Sequence, residues 1–234
     1  MKRAKRFYAD VAVAERDGNY VILLDGKPAR TLQGAVLRAP SRALAEAMEA
    51  EWRAQQERID RSTMMLTGLA NSAIDHVGLQ RGQVIDHILG FGRSDVVYYR
   101  VEEPAVLAAR QKELWDPLLD WARTKHGLRL MVDAGISYIE QPVDAMVRMQ
   151  EIVSGLDDLR LAALDLAAAL TGSLVIALAL TEGHIAAEQA FAAAVLDEIY
   201  QAEKWGRDAD AESRRTRMLD ELRACERFVR LLHK

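Results

Sequence analysis

The first 40 residues carry a strand-and-turn pattern that is absent from the rest of the chain. Two Asp-Gly pairs, at 17–18 and 25–26, enclose the apolar run YVILL at 20–24. Asp-Gly between apolar runs is a strong short-range signal for a β-hairpin, because both residues accept a positive φ. Together with the runs at 7–13, 30–32 and 36–38, this pattern predicts four short strands in a meander.

A helix is predicted directly after these strands. Ser41 is a suitable N-cap residue, and Ala45, Met48 and Trp52 follow it at helical spacing. A meander of four short strands buries little apolar surface by itself, so we expect the helix to pack across the sheet. The prediction is a small strand-rich α+β domain over residues 1–62.

From residue 63 onward the spacing of apolar residues is mainly helical. Pro117 interrupts one amphipathic stretch and predicts a kink or a helix restart at Asp116. Residues 128–140 are ambiguous and are compatible with a short extended pair. Further helices are expected at about 143–154, 156–170, 173–182, 185–206 and 211–233. The predicted fold class is α+β, in which the small strand-rich N-terminal domain with one packed helix precedes a mainly α-helical C-terminal domain over 63–234.

Composition and charge exclude several classes of protein. Half of the 234 residues are hydrophobic and 28% are charged, which is typical of a globular protein and not of a disordered one. The net charge of −4 provides no field that would attract nucleic acid. The longest apolar stretch, 166–180, is interrupted by Thr-Gly-Ser and is too short to span a bilayer. With a single cysteine, Cys225, and no signal or transit pattern, we expect a cytoplasmic monomer without membrane insertion.

Motifs for catalysis or metal binding are missing from the sequence. It contains no His-x-x-x-His, Cys-x-x-Cys or Glu-x-x-His, and it contains no phosphate-binding loop. Cys225 lies on the apolar stripe of the last predicted helix, where a small core residue is expected instead of a nucleophile. We therefore predict no catalytic residues, no metal, no cofactor and no enzyme activity. A carboxylate-dependent hydrolase in the helical domain stays an alternative, as does a scaffold protein with another client.

One helical segment combines charge with aromatic residues. Residues 181–212 contain eight Asp and Glu against two Lys and Arg, a surplus of six negative charges. This surplus is compatible with a solvated helix face and also with a surface that attracts a basic partner. On one continuous helix, Phe191, Glu198, Gln201 and Trp205 would follow a single line beside the apolar stripe.

Glu198 has three interpretations that the residues alone leave open. It could pair with one of the many arginines in 214–230, at the edge of the core. It could instead anchor the basic or backbone donor groups of a partner, because aromatic residues beside a fixed charge are typical of interface hot spots. General acid–base catalysis is the third, although no second polar group converges on Glu198 in the sequence.

Segments spread over nearly the whole chain share the order and spacing of one family's motifs. They are VILLDGK at 21–27, EWRAQ at 51–55, MMLTGLANSAID at 64–75, SDVVYYR at 94–100, WDPLLDW at 115–121, GSL at 172–174, LDE at 196–198 with Gln201, and WGRD at 205–208. Together they resemble the α-subunit chaperone family of F-type ATP synthase assembly. Met65, where the family usually has proline, and the VVY at 96–98 depart from its pattern and affect packing.

The resemblance implies a two-domain chaperone that binds the free α subunit of the catalytic sector until the β subunit replaces it. By the family's Asp-Glu-x-x-Gln motif, it assigns the main partner-binding role to Glu198. Asp197, Gln201 and Trp205 are weaker candidates for partner binding, and Phe191 joins them through the predicted helix line. A chaperone that only holds its client requires neither ATP nor a cofactor, in agreement with the missing catalytic motifs.

Overall fold

The computed structural model describes residues 4–135, 137–206 and 208–232. These residues fall into two compact units. Unit 1 comprises Met1–Arg81, Asp158–Ala163 and Arg227–Lys234, and unit 2 comprises Gly82–Asp157 and Leu164–Glu226. The domain boundary expected at residue 62 stays a prediction. The strand-containing N-terminal region and the mostly helical remainder confirm the predicted α+β class.

The sheet of unit 1 is built around a hairpin of β1 (Val11–Arg16) and β2 (Asn19–Leu24). Both Asp-Gly pairs form the predicted tight turns, with φ between 48° and 76° at all four residues. The short strands β3 (Lys27–Pro28) and β4 (Arg38–Ala39) both pair with β2, on the edge that β1 leaves open. The sheet therefore has four strands, as predicted, but the strand expected at 30–32 is replaced by β3, and the order is not a simple meander.

Helix α1 (Arg42–Arg53) packs on this sheet against β1, β2 and β4. Ser41 caps it as predicted, because its Oγ accepts a hydrogen bond from the backbone N–H of Leu44 at 3.1 Å. The same hydroxyl donates to the carbonyl oxygen of Leu231 at 2.5 Å, so it joins positions 190 residues apart. The helix thus ties the sheet to a segment that is distant in sequence.

The remainder of unit 1 begins with α2 (Met65–Ser72), which continues through a π-helical turn (Ala73–Val77) into α3 (Gly78–Arg93). Glu51 of α1 caps α2, since its two carboxylate oxygens accept hydrogen bonds from the N–H groups of Leu66 and Thr67, each at 2.8 Å. A carboxylate at a helix N-terminus also complements the helix dipole. Glu51 thereby fixes α2 against α1.

The rest of the described chain is mainly helical, and α4 packs against α7, α8 and α9. A short parallel pair of β5 (Tyr99–Arg100) and β6 (Asp133–Ala134) lies in unit 2. Strand β6 falls within residues 128–140, which were ambiguous from the sequence, but its partner β5 lies outside them. None of the helices in the described ranges combines the length and the apolarity needed to cross a membrane. The helices are α4 (Ala105–His126), α5 (Val143–Ser154), α6 (Asp158–Thr171), α7 (Leu174–Thr181), α8 (Ala187–Ala194), α9 (Leu196–Trp205) and α10 (Ala209–Leu231).

One helix prediction was wrong and another is settled in part. Helix α4 runs through Pro117, so the helix restart is excluded and the kink stays a prediction. The carbonyl that loses its N–H partner at Pro117 belongs to Glu113, an exposed residue. The helix predicted over 185–206 is divided at Val195, where φ is −104° and ψ is 14°. Val195 and Leu196, on either side of the division, are both buried. Of the helix expected over 211–233, residue 233 lies outside the described residues.

A fully buried carboxylate organises the centre of unit 2. Asp95 accepts hydrogen bonds from the N–H groups of Val97 at 3.2 Å and Val175 at 3.0 Å, and it also bonds the Ser173 side chain. It therefore holds the N-terminus of α7, whose residues 174–180 are all buried. Burial nevertheless dominates and raises the pKa of Asp95 to about 6.

Candidate functional site

Helix α9 presents one side to the core of unit 2 and the other to solvent. Leu196 and Tyr200 are buried, whereas Glu198, Gln201 and Trp205 are exposed. The spacing of three and four residues aligns these three side chains along the outward side of the helix. We call Glu198, Gln201 and Trp205 the α9 face.

Trp205 lies at the end of this face and is 83% exposed. The next residue, Gly206, has a φ of 103° and closes the helix through a hydrogen bond from its N–H to the carbonyl of Ala202. Gly206 therefore ends the helix as the sequence predicted. An indole with so much exposed surface contributes little to the core, which makes it available for contact with another molecule.

Glu198 is held on one side and open on the other. Its Oε2 lies 3.6 Å from Nη1 of Arg215 in α10, and the Glu198 side chain is 61% exposed against 15% for Arg215. The pairing with an arginine in 214–230, one of the three interpretations, is confirmed. Such a long and solvated ion pair contributes less than about 1 kcal/mol to stability. The carboxylate of Glu198 therefore remains accessible to a partner.

Asp197 and Phe191 do not belong to the α9 face. Asp197 accepts a hydrogen bond from Nε2 of the buried Gln111 at 3.0 Å, so it fastens the first turn of α9 to α4. Phe191 lies in α8, before the division at Val195, and is half-buried. The structure thus brings together three of the five predicted residues. A role of any of the five in partner binding stays a prediction.

The acidic surplus of this segment is largely matched by cations elsewhere in unit 2. Glu203 pairs with Arg110 at 2.9 Å and Glu188 with Arg223 at 2.8 Å. The hydrogen bond from Arg223 holds the pKa of Glu188 below its usual value. These partners lie 93 and 35 residues away along the chain, so counting charges in a local window missed them. The surface of α9 is therefore less negative than its sequence indicates.

Side chains that could support metal or thiol chemistry occur in both unit 1 and unit 2, and Cys225 lies in the core. In residues 4–135, 137–206 and 208–232, no three His, Cys, Asp or Glu side chains are grouped closely enough to hold a metal ion. Cys225 is buried, and burial raises the pKa of its thiol to about 12. A thiol with this pKa is protonated at neutral pH, which agrees with its prediction as a core residue.

Comparison with known sequences identifies a chaperone family. The family described as ATP12 chaperone protein matches residues 5–123, which is 119 of 234 residues. The protein named atp12, mitochondrial, from Schizosaccharomyces pombe is 26% identical over 219 residues. That match covers 88% of this chain and 75% of the yeast protein.

Solved structures agree over nearly the whole length. The crystal structure of Atp12 from Paracoccus denitrificans has a TM-score of 0.92 and 39% sequence identity, and the match covers 98% of each chain. The Atu1473 protein of Agrobacterium tumefaciens has a TM-score of 0.92 and 41% identity, over 97% of this chain and 86% of that one. A family described by chaperone activity agrees with the expectation that the chain is not an enzyme. The chain belongs to the ATP12 chaperone family.

Proposed function

We propose that this protein is an assembly chaperone for the F-type ATP synthase, which binds the free α subunit and prevents its aggregation until the β subunit replaces it. Membership of the ATP12 chaperone family supports the chaperone activity. The family resemblance of the sequence implies that the client is the α subunit. The main observation in support of a binding site on α9 is the exposed Trp205. It lies about two helical turns after the exposed Glu198, on the same face.

The surface of the free client subunit determines what its chaperone must do. A subunit of a ring exposes apolar surface and strand edges that its neighbour normally covers, and such surfaces aggregate when they are free. A protein that covers them in a one-to-one complex needs no ATP and no reaction centre. The complex must also be weak enough to dissociate when the true neighbour arrives, which favours a modest interface with a few anchors.

Trp205 and Glu198 have complementary roles in this proposal. The indole supplies a large contact area with only two side-chain torsions to immobilise, as in many interface hot spots. Glu198 presents a carboxylate to basic or backbone N–H groups of the client. The long ion pair with Arg215 costs little to replace, so a basic group of the client can take the place of the arginine.

Charge reversal at Glu198 tests this assignment. Glu198→Lys would place an ammonium group beside the guanidinium of Arg215, and it would repel basic groups of the client. We expect the variant to lose capture of the α subunit, measured by co-purification and by light scattering of the aggregating subunit. Circular dichroism and the thermal midpoint should stay close to those of the wild type, because Glu198 is exposed.

Glu203→Lys is the matched control, since it makes the same charge change on the same helix and also breaks an ion pair. It should retain capture. Normal capture by Glu198→Lys, or an equal loss in both variants, would contradict a specific role for Glu198. Unfolding of Glu198→Lys would show that the residue is structural.

We further propose that the chain acts in the cytoplasm as a monomer. Its single cysteine is buried in α10 and unpaired, which suits a reducing compartment. The Schizosaccharomyces pombe relative is mitochondrial by name, so fractionation of native cells is the decisive measurement for this chain. Sedimentation of the purified protein tests the monomeric state.

A further inference from the structure

Helix α9 begins without a side-chain cap of its own. Val195 precedes it with a φ of −104° and a ψ of 14°, and no side chain of the described chain caps the helix at that residue. Leu196 and Tyr200 are buried, but apolar packing is not directional. The rotation of α9 about its own axis decides where the α9 face points. A directional contact from elsewhere in unit 2 is therefore needed to fix it.

Gln111 of α4 provides such a contact. Gln111 is 1% exposed, and its Nε2 donates a hydrogen bond to Oδ1 of Asp197, in the first turn of α9, at 3.0 Å. Its Oε1 accepts a hydrogen bond from the N–H of Val101 at 2.9 Å. Both ends of the amide are therefore used, and the side chain cannot turn away from α9 without leaving a buried polar group unsatisfied.

Arg100 holds the backbone of α4 at the position of Gln111. Its Nη1 donates to the backbone carbonyl of Gln111 at 3.0 Å, and its Nε donates to the carbonyl of Val97 at 3.1 Å. The guanidinium of Arg100 also pairs with Asp116 of α4 at 3.1 Å. The amide of Gln111 thus extends from a segment that is itself fixed by hydrogen bonds within unit 2.

A second donor on α4 holds the chain before the division at Val195. Trp115 lies one turn after Gln111 and is 1% exposed, and its Nε1 donates to the carbonyl of Ala193 at 2.9 Å. Ala193 belongs to α8, whereas Asp197 belongs to α9. The Trp115 bond therefore fixes the end of α8, and the Gln111 bond fixes the start of α9.

The direction of Asp197 determines the direction of the α9 face. Successive residues of an α-helix are rotated by about 100°, so Glu198 and Trp205 point about 100° and about 80° away from Asp197 around the axis. Because Asp197 is directed at α4, the other two side chains are directed outward together. A rotation of α9 that broke the bond to Gln111 would also turn Glu198 and Trp205.

We propose that Gln111 is a positioning residue for the α9 face, and that Asp197 acts through its hydrogen bond to Gln111 instead of touching the client. Gln111 is buried, so its effect on capture is exerted through the orientation of α9. This inference rests on the function proposed above, since it explains how the partner-binding side of α9 is oriented.

Gln111→Glu tests the hydrogen bond with little change in side-chain size. The new carboxylate can still accept from Val101 N–H, but it faces the carboxylate of Asp197 without a donor. Hydrogen exchange of the free protein at pH 8, which disfavours a proton shared between the two carboxylates, should be about tenfold faster at the α9 amides. Capture of the α subunit should weaken by about tenfold or more.

The double variant Gln111→Glu with Asp197→Asn exchanges the donor and the acceptor and keeps the total charge. The amide at 197 then donates to the carboxylate at 111, so the hydrogen bond forms again with reversed polarity. Both the exchange of α9 and the capture should return to within about threefold of the wild type. If the Asp197 carboxylate touched the client, exchange would recover and capture would not.

Gln141→Glu is the matched control. Gln141 is another buried glutamine of unit 2, and its amide binds the N–H and the carbonyl of Met131 at 2.9 Å and 3.0 Å. The same substitution removes one buried hydrogen bond there too, so it should lower stability in urea by a similar amount. It should leave the exchange of α9 and the capture unchanged, because it does not act on α9.

Several results would overturn the proposal. They are unchanged exchange of α9 in Gln111→Glu, failure of the double variant to restore capture, and an equal loss of capture in Gln141→Glu. If Gln111→Glu does not fold, Asp197→Ala removes the acceptor from the half-buried end of the bond and should show the same two changes.

The exchange measurement needs no client, so the two proposals can fail separately. Normal capture by Glu198→Lys would contradict the α9 face as the binding site. Faster exchange of α9 in Gln111→Glu together with normal capture would overturn a role of Gln111 in capture, even if Glu198→Lys has lost the client.

Discussion

The α9 face and unit 1 differ in how their carboxylates are partnered. On the α9 face, Glu198 already has a cation within the chain, and the neighbouring Glu203 is paired with Arg110. In unit 1, Glu51 accepts two backbone hydrogen bonds at the start of α2, and Asp75 accepts two hydrogen bonds from the loop at 30–36. The carboxylates of α9 are shared with cations that a partner can replace, whereas those of unit 1 hold the fold together.

The two regions should therefore differ in what a substitution affects. An exposed ion pair exchanges with solvent or with a partner at a cost below about 1 kcal/mol, so contacts at Glu198 can form and dissociate readily. A carboxylate that accepts backbone hydrogen bonds at a helix N-terminus contributes about 1–2 kcal/mol to stability. We expect substitutions on the α9 face to change the capture of a partner and substitutions at Glu51 to change the stability of the fold.

The largest expected effect concerns Asp95, a buried polar group with several partners. Its pKa of about 6 exceeds the value of 3.8 in the unfolded chain, so the folded protein binds this proton more tightly. The stability that results is complete below about pH 4 and is lost as the pH rises through about 6, by about 3 kcal/mol in total. Urea unfolding between pH 4 and 7 should show this loss in the wild type. Asp95→Asn should not show it, and an equal pH dependence in both proteins would contradict this account.

The second effect concerns Trp205. Trp205→Ala should weaken α-subunit capture by about 2 kcal/mol, or roughly 30-fold, if the indole is the anchor of the α9 face. Thermal stability should hardly change, because the side chain is 83% exposed. Tyr138→Ala is the control, as Tyr138 is another exposed aromatic residue of unit 2. Comparable losses in the two variants would indicate a diffuse apolar attraction instead of a defined face.

The third effect concerns the start of α2 in unit 1. Glu51→Gln leaves only one acceptor for the N–H groups of Leu66 and Thr67 and removes the charge at the start of α2. We expect the free energy of unfolding to fall by about 1–2 kcal/mol, measured in urea. Glu46→Gln on the same helix, which removes one exposed ion pair with Arg42, should have a smaller effect. If the two variants lose the same stability, Glu51 does not fix α2 against α1.

The smallest effect is expected at Arg215. Arg215→Met removes the guanidinium but keeps the largely buried stem of the side chain, so the free energy of unfolding should change by less than about 1 kcal/mol. Capture of the α subunit should fall less than in Glu198→Lys, since the carboxylate remains. A greater loss of capture in Arg215→Met would mean that the arginine itself contacts the client.

Local signals made much of the fold predictable. The Asp-Gly turns and the Ser41 cap depend on neighbouring residues, and both appear in the structure as the sequence indicated. The division at Val195 was not predictable from periodicity, because Ala192, Val195 and Ile199 keep helical spacing across it. The continuity of α4 through Pro117 was not predictable either, because proline inside a helix is compatible with a kink or with a restart.

The candidate sites were less accessible from the sequence than the fold. The outward direction of Glu198 and Trp205 follows from helical spacing, whereas their ion-pair environment depends on residues far away in the chain. The position of Asp197 likewise depends on a distant residue, because Gln111 in α4 donates a hydrogen bond to it.

The hydroxyl of Ser41 links the start of α1 to Leu231. On the ribosome, residues are added in order, so Leu231 emerges long after the sheet and α1 have been made. The strands of the sheet can pair early, but the Ser41 hydroxyl forms its hydrogen bond to Leu231 only after α10 has been synthesised. The part of unit 1 that is synthesised first is therefore completed among the last, and a nascent chain halted before α10 should remain more sensitive to proteases in that region.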